Sequence, residues 1–229
     1  MKEVVLITGG SDGLGLEISK KLCGEFTVVA LSNKKGSLDD LKTNIDCETE
    51  LCDVTDPAHI EQILNIIVEK YGRIDYLINN AGVWVGGELT QNTYDQISAV
   101  IAINVVGTIN MTKAVLPHFI KNKSGKVINI ISTNGIETKP ERSVYCASKW
   151  AITGFTGSLR KELQKYGISV IGINPGLMRT NLHTTAGAER DMTNAMEVSE
   201  VANIVEFVLK QKNITIEQIT FRSIEAEIF

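Results

Sequence analysis

Four apolar residues, Val4-Val5-Leu6-Ile7, run straight into Thr8-Gly9-Gly10-Ser11-Asp12-Gly13-Leu14-Gly15. Beyond them Leu14, Ile18 and Leu22 recur every four residues, as on the buried face of an amphipathic helix. A strand, a glycine-rich turn and a helix in that order constrain the chain more than any other feature, because together they build a phosphate site. Glycines let the backbone approach a pyrophosphate closely, and a helix N-terminus offers free N–H groups and the positive end of a dipole. The spacing Gly9, Gly13, Gly15 departs from the commoner G-x-G-x-x-G. Alone it reads equally as a tight turn; its position directly after the first strand favours phosphate.

The unit then repeats. Thr27 to Leu31 is a second apolar run, and the residues after such a strand meet an adenosine ribose. Here stand Ser32-Asn33-Lys34-Lys35 and no acid, which suits a 2′-phosphate better than a 2′-hydroxyl. NADP(H) is therefore favoured, with NAD(H) possible; Asp12 mildly opposes an extra phosphate nearby. Glu50-Leu51-Cys52 leads into Asp53-Val54, where a carboxylate can accept from an adenine amino group or cap a helix. Asp56-Pro57 does the capping better. The helix that follows carries Ile60, Ile63, Leu64 and Ile67 and stops at Gly72.

A fourth strand at Asp75 to Ile78 ends in Asn79-Asn80-Ala81-Gly82. Helical periodicity from about Thr93 to Lys121 contains Asn104, a mid-helix amide read either as a hydrogen bond to a neighbouring strand or as a kink freeing a carbonyl. Strands are expected at 126–132, ending in Ser132, at 168–173, before Asn174-Pro175-Gly176, and briefly within 214–221. Ser199 is expected to cap the last helix. Alternating strands and helices predict an α/β chain: one doubly wound parallel sheet (Rossmann fold), a single domain over 1–229. Ligand-facing residues collect at the strands' C-terminal ends, as such sheets require.

Tyr145 and Lys149 lie four apart at the start of a helix and share one face. A phenol beside an ammonium is an acid-base pair, since a nearby cation is expected to pull the phenol down toward working pH. Taken alone, the spacing also fits a solvated helix face.

Composition excludes other classes. A net charge of -4 without a basic block argues against nucleic acid. No apolar run looks long enough for a membrane span of about 20 residues, and the N-terminus reads as a strand, not a signal peptide. A soluble cytoplasmic protein is expected. Cys23, Cys47, Cys52 and Cys146 form no C-x-x-C pair and the three histidines are scattered, so no metal site is expected. Cys47 and Cys52 could bridge, but free buried thiols are favoured.

Together, Thr8-Gly9-x-x-x-Gly13-x-Gly15, Asn79-Asn80-Ala81-Gly82, Asn104, Ser132, Tyr145-x-x-x-Lys149 and Pro175-Gly176 resemble the short-chain dehydrogenase/reductase family over nearly the whole chain. The resemblance implies hydride transfer between a nicotinamide cofactor and a carbonyl/alcohol substrate. It makes Tyr145 the general acid/base, Ser132 the hydroxyl that polarises the carbonyl, Lys149 the group that lowers the tyrosine and holds the nicotinamide ribose, and Asn104 the holder of a relay water. It implies cofactor contacts at Gly9, Ser11, Asp12, Gly13, Leu14, Gly15, Ser32, Asn33, Lys34, Asp53, Val54, Asn80, Ala81 and Gly82. Ile173, Pro175, Gly176 and Thr180 would lie on the nicotinamide side.

Residues 177–198 would form a substrate lid, with Met178, Leu182, Ala186, Met192 and Met196 making it apolar and suited to a lipophilic or small neutral carbonyl. The C-terminus lacks the Asp-Gly-Gly tail common among acyl-carrier-protein reductases, which disfavours a 3-oxoacyl thioester substrate. It leaves a homodimer or homotetramer, the dimer gaining weight. A dinucleotide-binding regulator without turnover is the alternative from another class.

Overall fold

The computed structural model describes residues 2–45 and 47–225. Its centre is a seven-stranded, all-parallel sheet in the order β3-β2-β1-β4-β5-β6-β7. The strands are β1 Val4–Thr8, β2 Thr27–Ser32, β3 Glu48–Leu51, β4 Tyr76–Asn79, β5 Gly125–Ile130, β6 Ile168–Pro175 and β7 Gln218–Phe221. The helices are α1 Gly13–Leu22, α2 Lys35–Asn44, α3 Pro57–Tyr71, α4 Tyr94–Ile101, α5 Thr108–Asn122, α6 Ser143–Leu163, α7 Leu182–Thr185 and α8 Val198–Lys210.

Strand β1 shows why both faces carry helices. Alternate residues point to opposite faces, and every residue of β1 is buried. Val4 and Leu6 join a core with Ile60 and Leu64 of α3, Met111, Val115 and Phe119 of α5, and Leu159 of α6. Val5 and Ile7 join a second core with Leu14, Ile18 and Leu22 of α1 and Val201, Val205 and Val208 of α8. Register follows: Leu6 pairs with Val29 on one side and Leu77 on the other. The chain order reverses between β1 and β4, which opens a crevice at their C-terminal ends.

Several expected boundaries move. Helix α2 was not expected from the sequence, because among its described residues only Leu38 and Leu41 are buried in a polar segment and give little periodicity. Strand β5 stops at Ile130, so Ser132 lies beyond it, and β7 is only Gln218–Phe221. Helix α8 begins earlier than expected: Glu197, not Ser199, is its cap, in a reciprocal capping box with Glu200. Asp56 and Gly72 do cap α3 as read.

The expectation about apolar length is corrected too. Residues Tyr94–Asn122 form one continuous helical rod containing an 18-residue window of mean hydropathy 1.6, long enough to cross a membrane by length and composition. Here its apolar side serves the core through Met111, Val115 and Phe119. Its middle, Ala102–Gly107, is a π-helical turn. Asn104 therefore sits at an irregularity of the helix, a place where bending is common.

The cysteines are also corrected. Cys23, just past α1, is joined by a disulfide to Cys47, which precedes β3. Cys52 and Cys146 are buried and free. Cys47 and Cys23 project toward each other because α1 packs beside that sheet edge, a proximity that sequence spacing does not reveal. Among the described residues no cluster of three or more His, Cys, Asp or Glu could hold a metal ion.

Candidate active site

A cavity of about 1070 Å³ runs along the C-terminal ends of the strands. One end is built by the first turn. Gly9 and Gly13 take φ values of +63° and +50°, which only glycine adopts freely. A Cβ on Gly15 would lie 2.0 Å from the Gly9 carbonyl oxygen, so the turn folds onto α1 only without side chains. Asp12 caps α1 by accepting from Gly13 N at 2.7 Å. Gly9, Ser11, Asp12, Gly13 and Leu14 line the wall; Gly15 does not, and serves by permitting the fold of the turn.

Ser32, Asn33, Lys34, Asp53 and Val54 line the same end. Lys34 Nζ lies 3.8 Å from Asp12 Oδ2, a half-exposed pair worth little in water. Asp53 Oδ1 accepts from Thr55 N and Thr55 Oγ1 at 2.8 and 2.7 Å, which holds its carboxyl below the usual range. Asn80 ties strand ends together: its Nδ2 donates to Thr8 O and Gly9 O at 3.1 and 3.2 Å, while Ala81 N donates to Thr8 Oγ1. Asn80, Ala81 and Gly82 line the wall all the same. Asn79 does not; its amide donates to Thr112 Oγ1 and Asn129 Oδ1 inside the protein.

At the other end Ser132, Tyr145, Lys149, Pro175, Gly176 and Thr180 share the wall. The Tyr145 hydroxyl faces the Ser132 side chain, which favours the phenolate. Ser132 Oγ accepts from Asn134 N at 3.1 Å, which orients it. Lys149 Nζ donates to Ile130 O at 3.1 Å and stands 5.7 Å from the centre of the Tyr145 ring. The expectation of a lowered phenol is not met. Burial pushes Tyr145 up to about 12 and outweighs the opposing influence of Ser132; burial likewise pulls the Lys149 ammonium down to about 8. In a pocket this dry, removing water from both groups outweighs their mutual attraction.

Asn104 stands off the wall. Its Oδ1 accepts from Val83 N at 2.8 Å, and its Nδ2 donates to Val83 O and Ser148 Oγ at 2.9 and 3.2 Å. Ser148 Oγ in turn donates to Tyr145 O at 2.7 Å. The amide thus pins the loop after β4 and the first turn of α6 to each other.

Sequence reasoning missed Trp84, Arg142, His183 and Arg190, all on the wall around Tyr145. Trp84 and His183 meet edge to face, ring centres 4.7 Å apart. Trp84 Nε1 and His183 Nδ1 are buried without a hydrogen-bond partner among the described residues. Burial, then Arg190 and Arg142, push His183 down to about 4, so it stays neutral at physiological pH. Arg142 stands three residues before Tyr145, a signal available in the sequence; Arg190 lies in a stretch with no periodicity. Of the expected apolar lid residues, Met178, Leu182 and Ala186 line the cavity, whereas Met196 is buried in the core and bridged to Met178.

The shape and donors fit a dinucleotide: a side-chain-free turn with a helix N-terminus at one end, and a buried phenol, hydroxyl and ammonium at the other. Comparisons agree. The family model described as short chain dehydrogenase matches residues 3–191. An uncharacterised oxidoreductase of Staphylococcus epidermidis is 30% identical over 227 residues, covering 97% of this chain and 98% of its own. A serine dehydrogenase, in a closed form complexed with NADP+, is 27% identical with a TM-score of 0.92, over 98% of this chain and 96% of that one. A 3-ketoacyl-(acyl-carrier-protein) reductase from Brucella melitensis complexed with NADH shares the fold at a TM-score of 0.90 and 24% identity, over 96% and 97% of the two chains.

Proposed function

The chain belongs to the short-chain dehydrogenase family, a nicotinamide-dependent oxidoreductase, and on that premise we propose that it interconverts a carbonyl and an alcohol using NADP(H) in preference to NAD(H). The observation that carries this reading is that Tyr145, Ser132 and Lys149 line the same cavity as the glycine turn. Gly9, Ser11, Gly13 and Leu14 would hold the pyrophosphate, Asp53 and Val54 the adenine, and Asn80 to Gly82 with Lys149 the nicotinamide ribose. Pro175, Gly176 and Thr180 would bound the nicotinamide, which when bound supplies or accepts the hydride. Asn33 and Lys34, with no carboxylate at the end of β2, support a 2′-phosphate; a phosphate there competes with Asp12 for Lys34.

Ser132 donates to the substrate carbonyl oxygen and fixes it beside Tyr145. Tyr145, fully protonated at neutral pH because burial holds it high, gives that oxygen its proton during reduction and takes it back during oxidation. Lys149 stabilises the resulting phenolate, and Asn104 acts through its hold on Ser148 and Val83. Residues 177–198 are proposed as the lid that closes over substrate and excludes water.

The exposed apolar side chains of Ile101, Val106 and Trp150 support assembly into a homo-oligomer through the α4 to α6 face. The cytoplasm is the proposed compartment. A panel of carbonyls and alcohols run with both cofactors tests the reading, with NADPH and NADH titrated by fluorescence. NADPH should bind more tightly; tighter NADH binding refutes the preference.

A further inference from the structure

Charge at the reacting end is unbalanced in one specific way. The chain has six arginines. Arg73 pairs with Asp75, Arg160 with Glu217, Arg179 with Glu197 and Arg222 with Glu137. The remaining two, Arg142 and Arg190, have no hydrogen-bonded or ion-paired guanidinium partner among the described residues, and both line the cavity that holds Ser132 and Tyr145; Arg222 lines it too, but is neutralised by Glu137. Both are half-buried. They reach the site from separate elements: Arg142 is the N-cap of α6 and Arg190 follows α7.

Nearby acids do not answer them. Asp191 turns its Oδ1 onto Thr193 N and Thr193 Oγ1 at 2.8 and 2.5 Å. Glu141 and Glu189 line the outer cleft beside Arg142, Arg190 and Lys139 but lie beyond ion-pair distance of them. Asp12 and Asp53 are at the glycine-turn end. The charged form of Arg190 is disfavoured by burial and by Arg142, and only an ionised Tyr145 would offset them, which a phenol held at about 12 is not at neutral pH. The α6 N-terminus adds to this positive field, for Arg142 gives it no side-chain cap and its first turn holds no acid. Two half-buried cations on the wall of one cavity, each felt by the other, are costly until an anion joins them. A carboxylate matches the planar guanidinium fork with two parallel hydrogen bonds.

We propose that the substrate is a hydroxy acid or its oxo acid, whose carboxylate Arg190 and Arg142 grip while the reacting carbon faces Ser132 and Tyr145. This rests on the oxidoreductase reading above and narrows it, replacing the expected neutral, lipophilic carbonyl. The redox step is unchanged: in reduction the carbonyl carbon gains a hydride and its oxygen gains the Tyr145 proton, while the carboxylate stays intact.

The test compares short 2- and 3-hydroxy acids with their methyl esters, oxidised with NADP+ and with NAD+. The acids should exceed the esters in kcat/KM by about ten- to a hundredfold, the worth of a charge-assisted pair. Arg190→Met should bring that ratio close to one, and Arg190→Lys should restore part of it. A wild-type ratio at or below one overturns the proposal and leaves the oxidoreductase reading standing. So does an Arg190→Met enzyme that loses acid and ester equally, or that loses NADPH affinity instead. If neither acid nor ester turns over, calorimetric titration of malonate and malonamide into the NADPH-bound protein still decides. Malonate binding that Arg190→Met removes supports the grip, and malonate binding no better than malonamide overturns it.

Discussion

Replacing Tyr145 by Phe separates two opposite accounts of how this site treats its phenol. Burial holds the folded tyrosine at about 12 against an ordinary 10. A folded value raised above the unfolded one adds stability below pH 10, lost as pH climbs through the folded value. At pH 11 an unfolded phenol is about nine-tenths ionised and the folded one about one-tenth, a difference of about 1.4 kcal/mol. At pH 9 the contribution is intact. Between pH 9 and 11 wild type should therefore lose about 1.4 kcal/mol more than Tyr145→Phe, or about 3–6 °C in Tm for a chain this size. Urea titrations of both proteins across that range measure it, and the other alkaline titrations cancel in the comparison. A constant offset between the curves, or wild type gaining on the variant, refutes the argument; a gain means that Lys149 already holds the phenolate. In the same variant turnover should fall by about 10² to 10⁴, the worth of a positioned general acid. NADPH affinity should stay within about twofold, because the hydroxyl alone is removed and the lysine keeps its Ile130 contact.

Gly15→Ala should abolish detectable NADPH binding in a fluorescence titration while the far-UV spectrum keeps its helical content, since the new Cβ collides with the Gly9 carbonyl. Lys34→Ala should weaken NADPH about tenfold and leave NADH within about twofold, the signature of a lost phosphate contact. Lys126→Met should cost about 3 kcal/mol in urea unfolding, because the buried Lys126 Nζ donates to the carbonyls of Val208, Leu209 and Gln211, which methionine leaves bare. Reducing the Cys23–Cys47 bridge should lower Tm, the loop it closes being worth about 3 kcal/mol of unfolded-chain entropy.

What could be read from sequence divides along physical lines. The buried strands and the caps of α3 were legible because burial on both faces and capping chemistry leave local patterns, as in Val4 to Ile7 and Asp56-Pro57. Ser132, Tyr145, Lys149 and the glycine turn were legible by order and spacing, and they do share one cavity. What failed depended on long-range packing. The pull of Lys149 on Tyr145 was expected from the four-residue spacing, but desolvation is a property of the assembled pocket. The Cys23–Cys47 contact and the approach of Arg190 to Arg142 join segments with no shared period. Asn104 was singled out as a mid-helix amide needing partners, and it sits in a π-helical turn, yet its partner Val83 lies in a loop without pattern.

The three carbonyls gathered by Lys126 tether the far end of α8 to the start of β5, and Gly176 N donates to Phe221 O at 2.9 Å where β6 meets β7. The Met178–Met196 bridge then closes the neck between those anchors. The stretch from Arg179 to Ala195 is consequently a bucket handle with both pivots bolted to the sheet. If it acts as the proposed lid, it would move, carrying Arg190 with it, without unzipping a strand or unwinding a long helix, so opening the site and keeping the protein folded would be separate demands on different parts of the chain.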